Sequence, residues 1–143
     1  MEPDSARPLA KARWIATLLY VIPLVVFPIL GRMVKLQAAL QPEVLRLLGL
    51  VLLVVGILDY AISLFFERKM LAQAAGERAP ARVLGAAIVV GATGASLAGY
   101  GLIITLLGAP GWGAALYVMC AAHGLHLMLR WPRYAQAAKQ APE

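Results

Sequence analysis

Residues 83–129 read VLGAAIVVGATGASLAGYGLIITLLGAPGWGAALYVMCAAHGLHLML and contain no Asp, Glu, Lys or Arg. The only interruption is the turn-forming segment Gly108-Ala109-Pro110-Gly111-Trp112-Gly113. At about 1.5 Å of rise per helical residue and roughly 30 Å of hydrocarbon to cross, this stretch holds two membrane-spanning helices and one tight hairpin. Working outward, the first half of the chain carries two further apolar stretches of spanning length. The pattern therefore predicts an all-α, integral membrane four-helix bundle made of two hairpins, with helices over residues 14–30, 42–66, 81–107 and 113–130. Residues 1–143 then form a single transmembrane domain, with no room for a soluble catalytic domain.

Composition agrees. The chain is 62% hydrophobic and 14% charged, with a mean hydropathy of +0.77, which places it in the membrane class. The net charge of +6 does not point to nucleic acid, because the basic residues sit at the edges of apolar spans, where they meet headgroups. Cys120 is the single cysteine, so an internal disulfide, a Cys-x-x-Cys redox pair and a cysteine-rich metal site are excluded. Its place within an apolar span reads as packing rather than reactivity.

Arg7, Lys11 and Arg13 precede the first apolar run, the order of a secretory signal. That run, however, contains Pro23 and Pro28 and is not followed promptly by a small-x-small site, so it reads as a retained span. Each proline frees a carbonyl, of Leu19 and Leu24, and predicts a kinked or locally unwound helix covered by its neighbours. Pro42 suits the first position of the second helix, whose helicity is expected to extend beyond the membrane as far as Gly76. Trp131-Pro132-Arg133-Tyr134 is expected to close the fourth helix with an interfacial anchor and a helix breaker.

Ten of the 13 Lys and Arg residues lie on the side of the two termini and the middle loop; Arg32, Lys35 and Arg46 lie on the other. The positive-inside rule then places both termini in the cytoplasm, and the bacterial inner membrane is the expected location.

The third helix carries a face of small residues, Ala87, Gly91, Gly94, Ala95, Ala98 and Gly101, and the second a stripe of Gly49, Gly56 and Ser63. Such faces let helix backbones approach closely, within the bundle or between subunits.

At Gly99-Tyr100-Gly101-Leu102-Ile103 the chain resembles the Tyr-Gly-Leu-Ile/Val run of the proteolipid subunits of rotary V-type ATPases. The resemblance implies a glycine-rich fold of two helical hairpins. The position that would hold the family's ion-carrying carboxylate is Ala95 here, so the resemblance does not carry rotor function with it. The overall pattern also looks like that of small bacterial four-helix membrane proteins.

Asp59 reads as the one carboxylate within a span, and such a group normally faces protein. Counted from the helix ends, His123 falls at a similar depth, His126 one turn nearer the cytoplasm, and Tyr20 within a turn of the same level. This candidate cluster has three readings: an interhelical hydrogen bond that fixes register, a proton relay, or a metal or haem site with Asp59, His123 and His126 as ligands. The two histidines share one helix face and cannot clamp a haem from opposite sides, and no cofactor is expected. No His-Glu-x-x-His, nucleophile elbow or phosphate loop is present, so no enzyme activity is expected.

The expected role is therefore structural or assembly-related: a bundle in the lipid bilayer acting as a homo-oligomer or as an accessory subunit of a larger membrane complex. The alternative is a small proton-coupled channel or carrier using Asp59 and His123.

Overall fold

A computed structural model describes residues 3–34, 40–75 and 78–139, with side chains from Leu9 onward. Its elements are α1 (Pro3–Met33), α2 (Pro42–Ala72), α3 (Ala79–Leu106) and α4 (Pro110–Ala138); among the described residues there is no strand. All four helices are long and apolar enough to cross a membrane.

Local chemistry explains most of the boundaries. Proline opens α2, α3 and α4 within their first two positions, where its fixed φ suits a helix and its missing N–H costs nothing. Helix α3 is closed two residues past Leu106 by Gly108, whose φ of +99° lets the chain reverse. The Gly108 N–H donates to the Thr105 carbonyl and the Ala109 N–H to the Ile104 carbonyl, so two of the helix's last carbonyls are satisfied by a Schellman turn.

Several boundaries differ from the sequence expectation. The turn after α3 is shorter than expected, because Pro110 starts α4 and draws Gly111 and Gly113 into the helix. Helix α1 runs unbroken through Pro23 and Pro28, with no locally unwound turn; Pro23 is buried and Pro28 half-buried, so the bundle supports the helix where its ladder is interrupted. Pro132 does not end α4 either. Beyond it, Tyr134, Ala137 and Ala138 are buried, and Trp131 stacks on Tyr134 at 5.0 Å between ring centroids. That packing holds the last two turns despite the hydrogen bond lost at proline. Helix α2 continues to Ala72; Gly76, its expected stop, and Lys35 lie outside the described residues.

Helix α3 is the central element and packs against α1, α2 and α4. Within its apolar window 44% of residues are buried, against 17% in α1 and in α2. Helices α1 and α2 share no contact among the described residues and flank the α3–α4 pair from opposite sides. Their outer faces present Val21, Val25, Ile29, Leu47, Val54, Leu58 and Ile62, the surface expected of lipid-facing helices.

The small residues of α3 mostly serve this interior. A Cβ at Gly91 would meet Leu19 of α1, one at Gly94 would collide with the Tyr20 ring, and one at Gly101 would press on Tyr117. Ala87, Gly91, Gly94, Ala98 and Gly101 are all buried inside the bundle, and Ala95 is half-buried. At Gly101 and Gly113 the backbones of α3 and α4 approach so closely that a Cβ on Gly113 would stand 2.8 Å from the Gly101 carbonyl oxygen.

Candidate functional site: a histidine held by four helices

A set of buried polar contacts surrounds His123 of α4, which is 1% exposed. Each of the other helices contributes to its surroundings. The Tyr20 hydroxyl of α1 lies 2.5 Å from His123 Nδ1, and the Ser63 hydroxyl of α2 lies 3.1 Å from Nε2. Tyr20 also reaches the Val90 carbonyl of α3 at 3.0 Å, and Ser63 the Tyr60 carbonyl of its own helix at 2.8 Å. The Tyr60 ring meets the imidazole edge-on at 4.4 Å. Glycine makes room for the tyrosine: the Tyr20 ring occupies the space that a Cβ on Gly94 would need, and Gly124 lies against it from α4.

This chain of contacts has a definite proton inventory. Its two outer acceptors are backbone carbonyls, which never donate, and a hydroxyl has one proton to give. With a neutral imidazole, Tyr20, Ser63 and His123 hold one proton each, three in all for four contacts. With an imidazolium, Nδ1–H donates to the Tyr20 hydroxyl and Nε2–H to the Ser63 hydroxyl, each hydroxyl donates onward to its carbonyl, and all four contacts are hydrogen bonds. The neutral form leaves one contact without a proton. A single added proton would thus complete the hydrogen-bond pattern without moving a heavy atom, set against the cost of placing a charge on a ring that is 1% exposed.

Closer to the chain termini, one turn past Ser63 on α2 and two turns past His123 on α4, lies a second buried polar group. Arg130 Nη1 of α4 donates to Glu67 Oε2 of α2 at 2.6 Å, with both side chains buried. Arg130 Nη1 is also 3.5 Å from His126 Nε2. Glu67 Oε1, Arg130 Nε and the Tyr134 hydroxyl are buried without a hydrogen-bond partner among the described residues. Toward the opposite end the interior changes character. There Leu97, Ile104 and Leu116 are fully buried, Cys120 Sγ donates to the Gly94 carbonyl at 3.2 Å, and the buried Tyr117 hydroxyl has no partner. The two buried polar groups, between which no hydrogen bond runs among the described residues, therefore occupy the half of the bundle nearer the termini and end at His123.

Of the candidate residues, Tyr20 and His123 meet directly. His126 lies beside Arg130 and faces the Tyr60 ring at 6.1 Å. Asp59 is elsewhere: it accepts a 2.8 Å hydrogen bond from the Tyr100 hydroxyl, half-buried in the α2–α3 seam. No group of three His, Cys, Asp or Glu side chains among the described residues is arranged to hold a metal ion. Sequence reasoning missed Glu67 and Arg130, which it assigned to the membrane edge, and took Ser63 only as a packing residue. A signal for them was present. Leu116, Cys120, His123, Leu127, Arg130, Tyr134 and Ala137, the buried stripe of α4, alternate at spacings of four and three, so Arg130 shares the face of His123.

No family model matches the chain, nor does any curated protein or solved structure, so the likeness to rotary-ATPase proteolipids rests on the Gly99–Ile103 run alone.

Proposed function

We propose that this is a non-enzymatic integral membrane protein with a structural or assembly role, acting as a homo-oligomer or as an accessory subunit of a larger membrane complex. The observation that supports this reading is the Asp59–Tyr100 pair. It lies at the outer seam of α2 and α3, beside the exposed side chains of Leu58 and Ile62. A carboxylate facing lipid costs about 2.5–3.5 kcal/mol on insertion scales and normally faces protein instead. Next to it, α3 turns Ala92, Ala95, Ser96 and Gly99 outward, and a Cβ on Gly99 would meet nothing within 4 Å. This outer strip, rather than the buried glycine face, is the place for close approach by another helix. In this reading the four helices insert with both termini in the cytoplasm, as the distribution of Lys and Arg favours, in a bacterial inner membrane.

Native mass spectrometry after mild-detergent purification tests the proposal. A fixed-stoichiometry assembly that is lost in Gly99→Leu supports it; a monomer unaffected by Gly99→Leu overturns it.

A second reading, a small proton-coupled carrier, is favoured by the proton inventory at His123. Its centre moves from Asp59 to Tyr20, His123 and Ser63, with Glu67 and Arg130 on the approach from the termini. The apolar half beyond His123 makes it the weaker reading for a single subunit. A pH-driven flux in liposomes that is abolished by His123→Asn and retained in Asp59→Asn would favour it over the first.

A further inference from the structure

Helix α1 leans on α3 along most of its length and touches α4 far less, which leaves the α1–α4 seam open. A cleft of about 520 Å³ runs along it between Arg13 and Thr17 on one wall and Met128 and Trp131 on the other. An adjoining cavity of about 590 Å³ shares Arg13, Thr17 and Trp131 and extends the cleft past Trp14. Both volumes fall within the range of about 300–1,000 Å³ usual for small-molecule sites. The floor is shallow-sided because it is built from Ala16 and Gly124, and it ends against Tyr20.

The two ends of the cleft differ in chemistry. At the mouth, Arg13 is exposed and has no acidic partner among the described residues. It is flanked by Trp14, 67% exposed, and by Trp131, an aromatic pair of the kind that marks a membrane–water interface. Inward, the lining becomes apolar. Arg13 and Tyr20 are seven residues apart on one helix, so the cleft reaches about 10 Å below the level of the guanidinium. A cation with interfacial tryptophans above an apolar slot is complementary to a phosphodiester with an acyl chain beneath it. A free anion would use only the mouth, and a hydrocarbon only the slot.

We propose that the α1–α4 cleft is a binding site for one anionic phospholipid. The Arg13 guanidinium takes two phosphate oxygens, a task its planar fork suits better than a lysine ammonium. The indole N–H groups of Trp14 and Trp131 donate to the ester region, and one acyl chain lies along Thr17 and Met128 as far as Tyr20.

The test is tryptophan quenching in phosphatidylcholine vesicles containing a minor fraction of brominated phosphatidylglycerol, compared with the same fraction of brominated phosphatidylcholine. The site requires stronger quenching by the brominated phosphatidylglycerol, with that preference reduced about fivefold in Arg13→Gln. Arg68→Gln, an exposed cation at the same end of the bundle, should leave it in place. Thr17→Phe, which fills the slot without changing charge, should also abolish it. Equal quenching by the two brominated lipids overturns the site, as does equal loss in Arg13→Gln and Arg68→Gln, or a preference that survives Thr17→Phe.

Discussion

Glu67 of α2 and Arg130 of α4 form a buried ion pair at 2.6 Å, yet Glu67 Oε1 and Arg130 Nε have no further partner among the described residues. The pair ties together two helices that are joined in sequence only through α3. Because one carboxylate oxygen and one guanidinium N–H are left unsatisfied, the attraction does not fully offset the cost of removing both charges from water. Removing one partner alone leaves an uncompensated buried charge. Arg130→Met and Glu67→Met should each destabilise the bundle by about 3–5 kcal/mol, whereas the double variant should return to within about 1 kcal/mol of the parent or exceed it. Denaturation of the four proteins in mixed micelles measures the coupling directly.

The two hydroxyls on His123 make separable predictions. Tyr20→Phe removes the contact at Nδ1 and the extra bond to the Val90 carbonyl, while Ser63→Ala removes the contact at Nε2 and the bond to the Tyr60 carbonyl of its own helix. Nitrogen NMR of the labelled imidazole should therefore show Nδ1 moving in the first variant and Nε2 in the second. Each should cost about 0.6–1.7 kcal/mol, the range for interhelical hydrogen bonds in membranes. If both nitrogens moved equally in either variant, His123 would not be held between two different helices.

Gly94 and Gly99 lie five residues apart on α3 and should respond oppositely to a methyl group. A Cβ at Gly94 would collide with the Tyr20 ring, while one at Gly99 would meet nothing within 4 Å. Gly94→Ala should cost about 1–3 kcal/mol through overpacking and displacement of Tyr20. Gly99→Ala should leave the fold unchanged or stabilise it by up to about 1 kcal/mol through helix propensity. Thermal unfolding of the two variants in detergent decides whether the glycine face is internal.

The spans were legible because charge-free length is a coarse signal that tertiary packing rarely overrides. The extent of α4 was not, because Pro132 taken alone reads as a stop, while the buried spacing from Leu116 through His123 and Arg130 to Ala137 runs straight across it. The polar cluster was legible in depth and not in rotation. Gly56 and Ser63 mark the buried centre of α2. Successive residues advance by about 100° around a helix, which sets Asp59 and Tyr60 on opposite sides of that centre. Asp59 accordingly leans toward Tyr100 of α3, and Tyr60 toward His123 of α4. Counting residues from the membrane edge cannot supply that angle. Glu67 falls just past residue 66, the expected end of the second span, yet it lies one helical turn beyond Ser63 and continues the same face.

Gly108 supplies a last test, of the turn that sets α4 against α3. Its φ of +99° lies where an L side chain is strained, and the two hydrogen bonds from Gly108 and Ala109 back to Thr105 and Ile104 depend on that conformation. Gly111, three residues on, is helical with open space around it. Gly108→Ala should therefore destabilise by about 1–2 kcal/mol, and Gly111→Ala should be neutral or stabilising by up to about 1 kcal/mol. Because Gly108 is exposed and a Cβ there meets nothing within 4 Å, a loss at this position comes from backbone strain rather than packing. Equal stability of the two variants in a detergent melt would mean that the connection does not hold the left-handed turn, and the close approach of Gly113 to Gly101 would then need another support.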